Sequence, residues 1–222
     1  MLENRSSRPS QSASTAPGQL SIRRLERLAD LVFAVALLLL LITVDFAPEE
    51  SASAEEAYDY FFSQIGQSFG FVINFVIIGY YWITHQEYFS YYKRTNKVHT
   101  LIELLFLMTI AAMPFNNHFI AAFPLEVAPR IAITSDIVVA GLLSFLSWSY
   151  ATAGNRLVDE REVDPEVVRF MRLQALAVPV VALVAIGLAF LHPLAWDVVL
   201  TIGPLAALFL IKRRARIRQT PA

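Results

Sequence analysis

The chain has 222 residues, of which 56% are hydrophobic and only 17% charged, with a formal net charge of −1 and no cysteine. Charged residues make up roughly a quarter of an ordinary soluble domain, so a soluble fold is disfavoured. A near-neutral balance also excludes a nucleic-acid-binding surface, and the missing thiols exclude disulfides, thiolate metal sites and cysteine nucleophiles.

Residues 1–20 are rich in Ser, Pro, Ala and Gln and offer little apolar surface to offset the entropy of ordering a backbone, which predicts a disordered cytoplasmic tail. The first apolar run begins near Leu28 and continues for the width of a membrane, longer than a cleaved secretory signal requires. A bilayer core of about 30 Å needs roughly twenty helical residues. Blocks of that kind fall at 28–46, 67–84, 101–123, 131–153, 173–191 and 196–211. The last two are separated only by His192-Pro193-Leu194-Ala195, a helix-breaking stretch that predicts a tight hairpin. Pro114, Pro179 and Pro204 lie within or near the ends of spans and mark kinks or helix ends.

The predicted architecture is therefore an all-α integral membrane bundle of six transmembrane helices. A six-helix transmembrane domain occupies residues 21–212, and a basic cytoplasmic tail follows over 213–222. Orientation follows from the basic residues, which gather on the cytoplasmic side of spans. Arg23, Arg24 and Arg27 precede the first span, and Lys93, Arg94 and Lys97 follow the second. Arg156, Arg161, Arg169 and Arg172 lie between the fourth and fifth, and Lys212, Arg213, Arg214, Arg216 and Arg218 follow the sixth. The first connection instead carries Glu49, Glu50, Glu55, Glu56 and Asp59. Six spans with both termini cytoplasmic put all of these basic segments on one side.

In the first span, Val35, Leu38, Ile42 and Asp45 recur at steps of three, four and three, and so share one helix face. Repeated around an axis, that face makes stacked aliphatic rings ending in a ring of carboxylates at an outer mouth, which would gather cations and repel anions. On spacing alone, lipid-facing or interhelical packing is the simpler account of the same residues.

Three short blocks add a family resemblance. Arg24 and Asp30 stand as in the Arg-xxx-Phe-Ser-Asp signature that opens the pore helix of the TMEM175 potassium channels, with Leu28-Ala29 in place of Phe-Ser. The run Tyr81-Trp82-Ile83-Thr84-His85-Gln86-Glu87-Tyr88-Phe89 resembles that family's Trp-xx-His-xxx-Phe, and Met113-Pro114-Phe115 resembles the Pro-Phe that ends its third helix. The resemblance covers roughly residues 20 to 150. It implies a multi-pass protein of the bacterial plasma membrane, in contact with membrane lipids. It also implies a homotetramer whose pore is lined by four first helices and closed by a constriction of large aliphatic side chains. Val35 takes the family's constricting position and Leu38 its usual hydroxyl-bearing position. The change to Leu38 removes an oxygen that could replace part of an ion's hydration shell, which bears on selectivity and on conduction itself.

Asp30 near the cytoplasmic start of the first span requires a partner. A network with Trp82 and His85, at the level of Arg24, is the expected arrangement, and by resemblance it fastens the pore helix to the second helix. His85 is also the candidate for a pH response. Glu103, just inside the third span, is expected to snorkel toward Arg24 or Lys97. Asp136 and Asp197 are expected near the outer boundary, with Asp197 in the favourable first turn of its helix.

An enzyme is not expected. The four histidines are never at i, i+4 spacing, and neither a His-Glu-xx-His run nor a Gly-x-Ser-x-Gly elbow is present. No cofactor or bound metal is implied, only permeating K+. The leading reading is a leak-type potassium-permeable cation channel. The alternatives are a proton-coupled secondary transporter using Asp30 and His85, and a non-conducting membrane scaffold of the same fold.

Overall fold

A computed structural model of the chain describes residues 21–42, 54–123, 126–159, 163–192, 194–204 and 206, with side chains undescribed at 54–57, 59–69 and 121. The expected tails at 1–20 and 213–222, and Asp45, lie outside these residues. The described elements are helical: α1 (Ile22–Ile42), α2 (Ala54–Tyr91), α3 (Lys97–Ala122), α4 (Val127–Thr152), α5 (Pro165–Ala189) and a shorter apolar helix, α6 (Leu194–Pro204). A short 3-10 turn, Ala153–Asn155, follows α4. By length and apolar content the stretches Lys97–Ile120, Val127–Asn155 and Pro165–Ala189 are each able to cross a bilayer.

Local chemistry accounts for several helix ends. Asn96 caps α3, its side chain accepting from the His99 amide at 3.0 Å. Asp164 caps α5 by accepting from the Glu166 amide at 2.8 Å, with Pro165 at the first helical position, where its missing N–H costs nothing. After α4 the chain reverses through Gly154 and Asn155, both at positive φ, 62° and 53°. Glycine and asparagine are the residues that tolerate this left-handed region.

One boundary differs from that expected. The acidic connection is not all loop. α2 starts at Ala54 and runs 38 residues, since 54–65 hold no proline or glycine and include the good helix formers Ala54, Glu55, Glu56 and Ala57. α3 runs through Pro114 to Ala122, within the block expected at 101–123. In a membrane bundle, neighbouring helices compensate the hydrogen bond that proline removes.

α4 packs against α3 and α5, and α1 lies on α3 and α2. The main core joins Phe33, Ile77, Phe106, Ile110, Ile137 and Val178. A second cluster around Trp148 gathers Leu25, Tyr88, Tyr92, Leu157 and Met171. There the α2–α3 and α4–α5 connections are joined by a Tyr92–Val158 bridge and by the Lys93 amide, which donates to the Leu157 carbonyl at 2.8 Å. This seam holds the start of α1 at the same end of the bundle as both basic connections. Arg130 is the exception to that sorting. It is almost completely buried at the start of α4, donating to Asp197 Oδ2 at 2.9 Å and to the Glu126 carbonyl at 2.9 Å, with its guanidinium 5.6 Å from the Trp196 ring. Its charge is met inside the protein, so it does not contribute to the sidedness signal.

The α4–α5 contact depends on Gly141. A Cβ there would lie 2.0 Å from Pro179 Cγ and 3.1 Å from the Ala175 carbonyl oxygen. Neither the pyrrolidine ring nor the helix backbone can swing aside, so the helices must separate. Gly141→Ala is expected to destabilise the fold at or above the upper end of the ~1–3 kcal/mol typical of overpacking. Thermal unfolding of the solubilised protein checks this, and an unchanged midpoint would refute the contact.

Candidate functional site

α1 divides into two faces. Leu25, Ala29, Phe33, Ala36 and Leu40, at steps of four, four, three and four, are buried against α2 and α3. The other face is aliphatic and uncovered: Leu28, Leu31, Val35, Leu38 and Ile42 recur at steps of three and four, with Val35 45%, Leu38 57% and Ile42 70% exposed. The sequence-derived stripe of Val35, Leu38 and Ile42 is thus one continuous surface, and Leu28 and Leu31 extend it toward the basic end. Such a surface contrasts with the opposite face of the same helix, where alanine and phenylalanine interlock with neighbours.

The anchoring network is partly as expected. Asp30 accepts from Trp82 Nε1 at 3.1 Å and also from Gln86 Nε2 at 2.6 Å. Trp82 and Gln86 are one helical turn apart on α2, so both reach the same carboxylate. That spacing was available in the sequence as a pointer to Gln86. The network is partly exposed, with Trp82 41% accessible, and His85 is absent from it. Three residues after Trp82, His85 projects inward and donates or accepts at Glu103 Oε2 over 3.1 Å. Arg24 is exposed on α1.

Glu103 in turn departs from the snorkelling expectation. It is buried, 3% exposed, and faces neither Arg24 nor Lys97. Its carboxylate meets His85, accepts a short hydrogen bond from Ser147 of α4, and lies 3.5 Å from His99 Nε2 one turn earlier on α3. An acidic side chain at the end of a span can reach water only if its face points outward, and α3 turns this face toward α2 and α4. Helical spacing of His99 and Glu103, four apart, was the available sign of this pairing. Asp136, near the other end, accepts from Asn116. Groups of three or more His, Cys, Asp or Glu able to hold a metal ion are not found among the described residues.

A family model described as endosomal/lysosomal potassium channel TMEM175 matches residues 24–114, which span α1, α2 and most of α3. Over these helices the chain is similar to the TMEM175 family. Two relatives agree. A protein named a potassium channel from Streptomyces collinus is 28% identical over 171 residues, covering 75% of this chain and 82% of the relative. Another so named, from Chamaesiphon minutus, is 26% identical over 159 residues, covering 67% and 77%. The crystal structure of a TMEM175 homologue from Chamaesiphon minutus, described as a lysosomal potassium-selective channel homologue, superposes with a TM-score of 0.72 at 20% identity, covering 86% of this chain and 97% of that one. A second TMEM175 channel structure gives 0.57 at 16% identity. At such identity these superpositions establish the TMEM175 fold. The matched residues include Arg24, Asp30, Trp82 and His85 and end at Pro114, so the first two blocks that carry the resemblance lie inside the match and the third lies at its end.

Proposed function

We propose that the chain is a potassium-permeable cation channel of leak type, a multi-pass protein of the bacterial plasma membrane with six spans and both termini cytoplasmic. It assembles as a homotetramer in which four copies of α1 surround the permeation path. The observation that carries this reading is the uncovered aliphatic stripe on α1. A single copy leaves Val35, Leu38 and Ile42 exposed on a helix whose other face is fully packed. Four such stripes around an axis close into rings of branched side chains, a constriction that gates and selects by the cost of removing water from an ion. Asp45, three positions after Ile42 in the sequence, is the candidate carboxylate for the outer entrance, where it would draw cations.

Asp30, held by Trp82 and Gln86, is a structural anchor in this scheme. It ties the lining helix to α2 at the cytoplasmic level, where an ionised carboxylate without donors would be costly. The three membrane-capable stretches agree with a bilayer location, and the relatives named potassium channel supply the cargo. Leu38 makes the column wholly aliphatic, which favours a low, leak-like conductance over a fast one.

The decisive experiment is uptake of potassium and sodium by liposomes holding the purified full-length protein. Potassium uptake exceeding sodium uptake, and abolished when protein is omitted, is the expected result. Folded tetramers that move neither ion would refute the channel and leave a scaffold of the same fold. Uptake that depends on a proton gradient would favour the carrier.

A further inference from the structure

The cluster behind α1 is built around one buried carboxylate and two buried imidazoles, and none of the three is needed to line a pore. Glu103 is 3% exposed, His85 5% and His99 fully buried. Glu103 Oε2 meets His85 Nε2 at 3.1 Å, while Oε1 takes the Ser147 hydroxyl and faces His99 Nε2 at 3.5 Å without a formed hydrogen bond. His99 Nδ1 is held on its other side by the Thr95 hydroxyl at 2.9 Å. One carboxylate thus faces two imidazoles.

The surrounding charges do not offset a change here. Tyr92, at the end of α2, sets its ring at a right angle to His99, 4.8 Å between centroids, and its hydroxyl against Ser147 at 3.3 Å. Tyr81 and Tyr88 donate to the Ile137 and Met171 carbonyls of α4 and α5. On the α1 side Asp30 is turned to Trp82 and Gln86, and Glu87 is turned to Gln174 of α5. No lysine or arginine is among the described partners of the three groups. With one proton on the imidazole pair, Glu103 balances it and the set is neutral overall. A second proton leaves a buried net positive charge with no counter-ion, which a packed interior opposes strongly.

That charge would appear where α1 is held. The His85 ring is stacked between Phe89, 4.2 Å between centroids, and Phe106, 5.6 Å, and Phe33 of α1 sets its edge on His85 at 5.7 Å. We propose that Glu103, His85 and His99 form a proton-binding latch that pins α1 through Phe33, and that uptake of a second proton releases it. Acidification then loosens the lining helix and lowers discrimination between potassium and sodium. The consequence for selectivity rests on the proposed channel function; the movement of α1 does not.

The test uses full-length protein in liposomes at pH 7.5 and pH 5.5. His99→Gln keeps an amide donor near the Nε2 position but cannot take up a proton. The potassium-to-sodium uptake ratio of the unaltered protein is expected to fall roughly fivefold at the lower pH, the lower end of usual coupling between linked sites, and that of His99→Gln to stay within about a factor of two of its pH 7.5 value. Since the chain has no cysteine, Ala34→Cys provides one label site on α1, and its rate of thiol labelling, corrected for thiolate content with a free-thiol standard, reads helix movement without any ion flux. A rate that changes with pH in the Ala34→Cys protein, and is flat once His99→Gln is added, supports the latch. A flat rate in the Ala34→Cys protein, or an equal pH response with and without His99→Gln, overturns it. If potassium does not move at either pH the channel reading fails, while the labelling result still decides the latch. Should His99→Gln not fold, Ser147→Ala, which removes a donor from Glu103 and not a titrating group, replaces it: the labelling response must then shift in pH, and an unshifted response overturns the proposal.

Discussion

Asp197→Ala is expected to destabilise the protein by about 3–5 kcal/mol, the usual cost of stranding one member of a buried ion pair. Arg130 is 2% exposed, Asp197 is its described carboxylate partner at 2.9 Å, and the guanidinium Nε already lacks a hydrogen-bond partner. Removing the carboxylate leaves a charge that cannot lose its proton, because arginine stays protonated in proteins. The remaining contacts, the Glu126 carbonyl and the Trp196 face, are too weak to replace it. Asp197→Asn, which keeps an acceptor, should lose less, and the double change Arg130→Met with Asp197→Leu should recover most of the loss, since apolar replacements of a buried pair are often neutral. Thermal unfolding followed by tryptophan fluorescence orders these variants, with Trp196 beside the pair as an internal reporter. A double variant as unstable as Asp197→Ala would show that the pair contributes more than mutual neutralisation.

Val35→Asn is expected to lower the potassium-to-sodium uptake ratio roughly tenfold, equivalent to about 1.4 kcal/mol of lost discrimination. An aliphatic ring gives a partly dehydrated ion nothing in return for its water, so the ion that holds water less tightly passes more readily. Four amides at that level offer donors and acceptors, and the penalty for sodium falls more than that for potassium. Val35 suits this substitution because it is exposed in the single chain and contributes nothing to the packed face of α1. The variant should therefore fold and assemble as the parent does. An unchanged ratio at unchanged uptake would move the constriction away from Val35, to Leu38 or Ile42.

Charge placement and apolar block length identified the helical class and the common end of the basic connections. Both are properties of the chain read in order, since a bilayer rewards long uncharged helices wherever they occur. The faces of α1 were legible too, because a step of three or four places side chains together on any helix. Trp82 reached Asp30 as its position in the Trp-xx-His block implied.

What the sequence did not reveal was which way each polar side chain points between helices. His85 lies three residues from Trp82, and Glu103 looks like a residue at a membrane boundary. Only the packing of α2, α3 and α4 turns both inward, toward Ser147 and His99, and leaves Gln86 to complete the Asp30 site. Arg130 and Asp197 are 67 positions apart, and nothing local in either helix pairs them. Helix periodicity fixes the angle between residues of one helix. The rotation of that helix against its neighbours comes from close packing, as where Pro179 fills the space above Gly141, and so belongs to the tertiary structure alone.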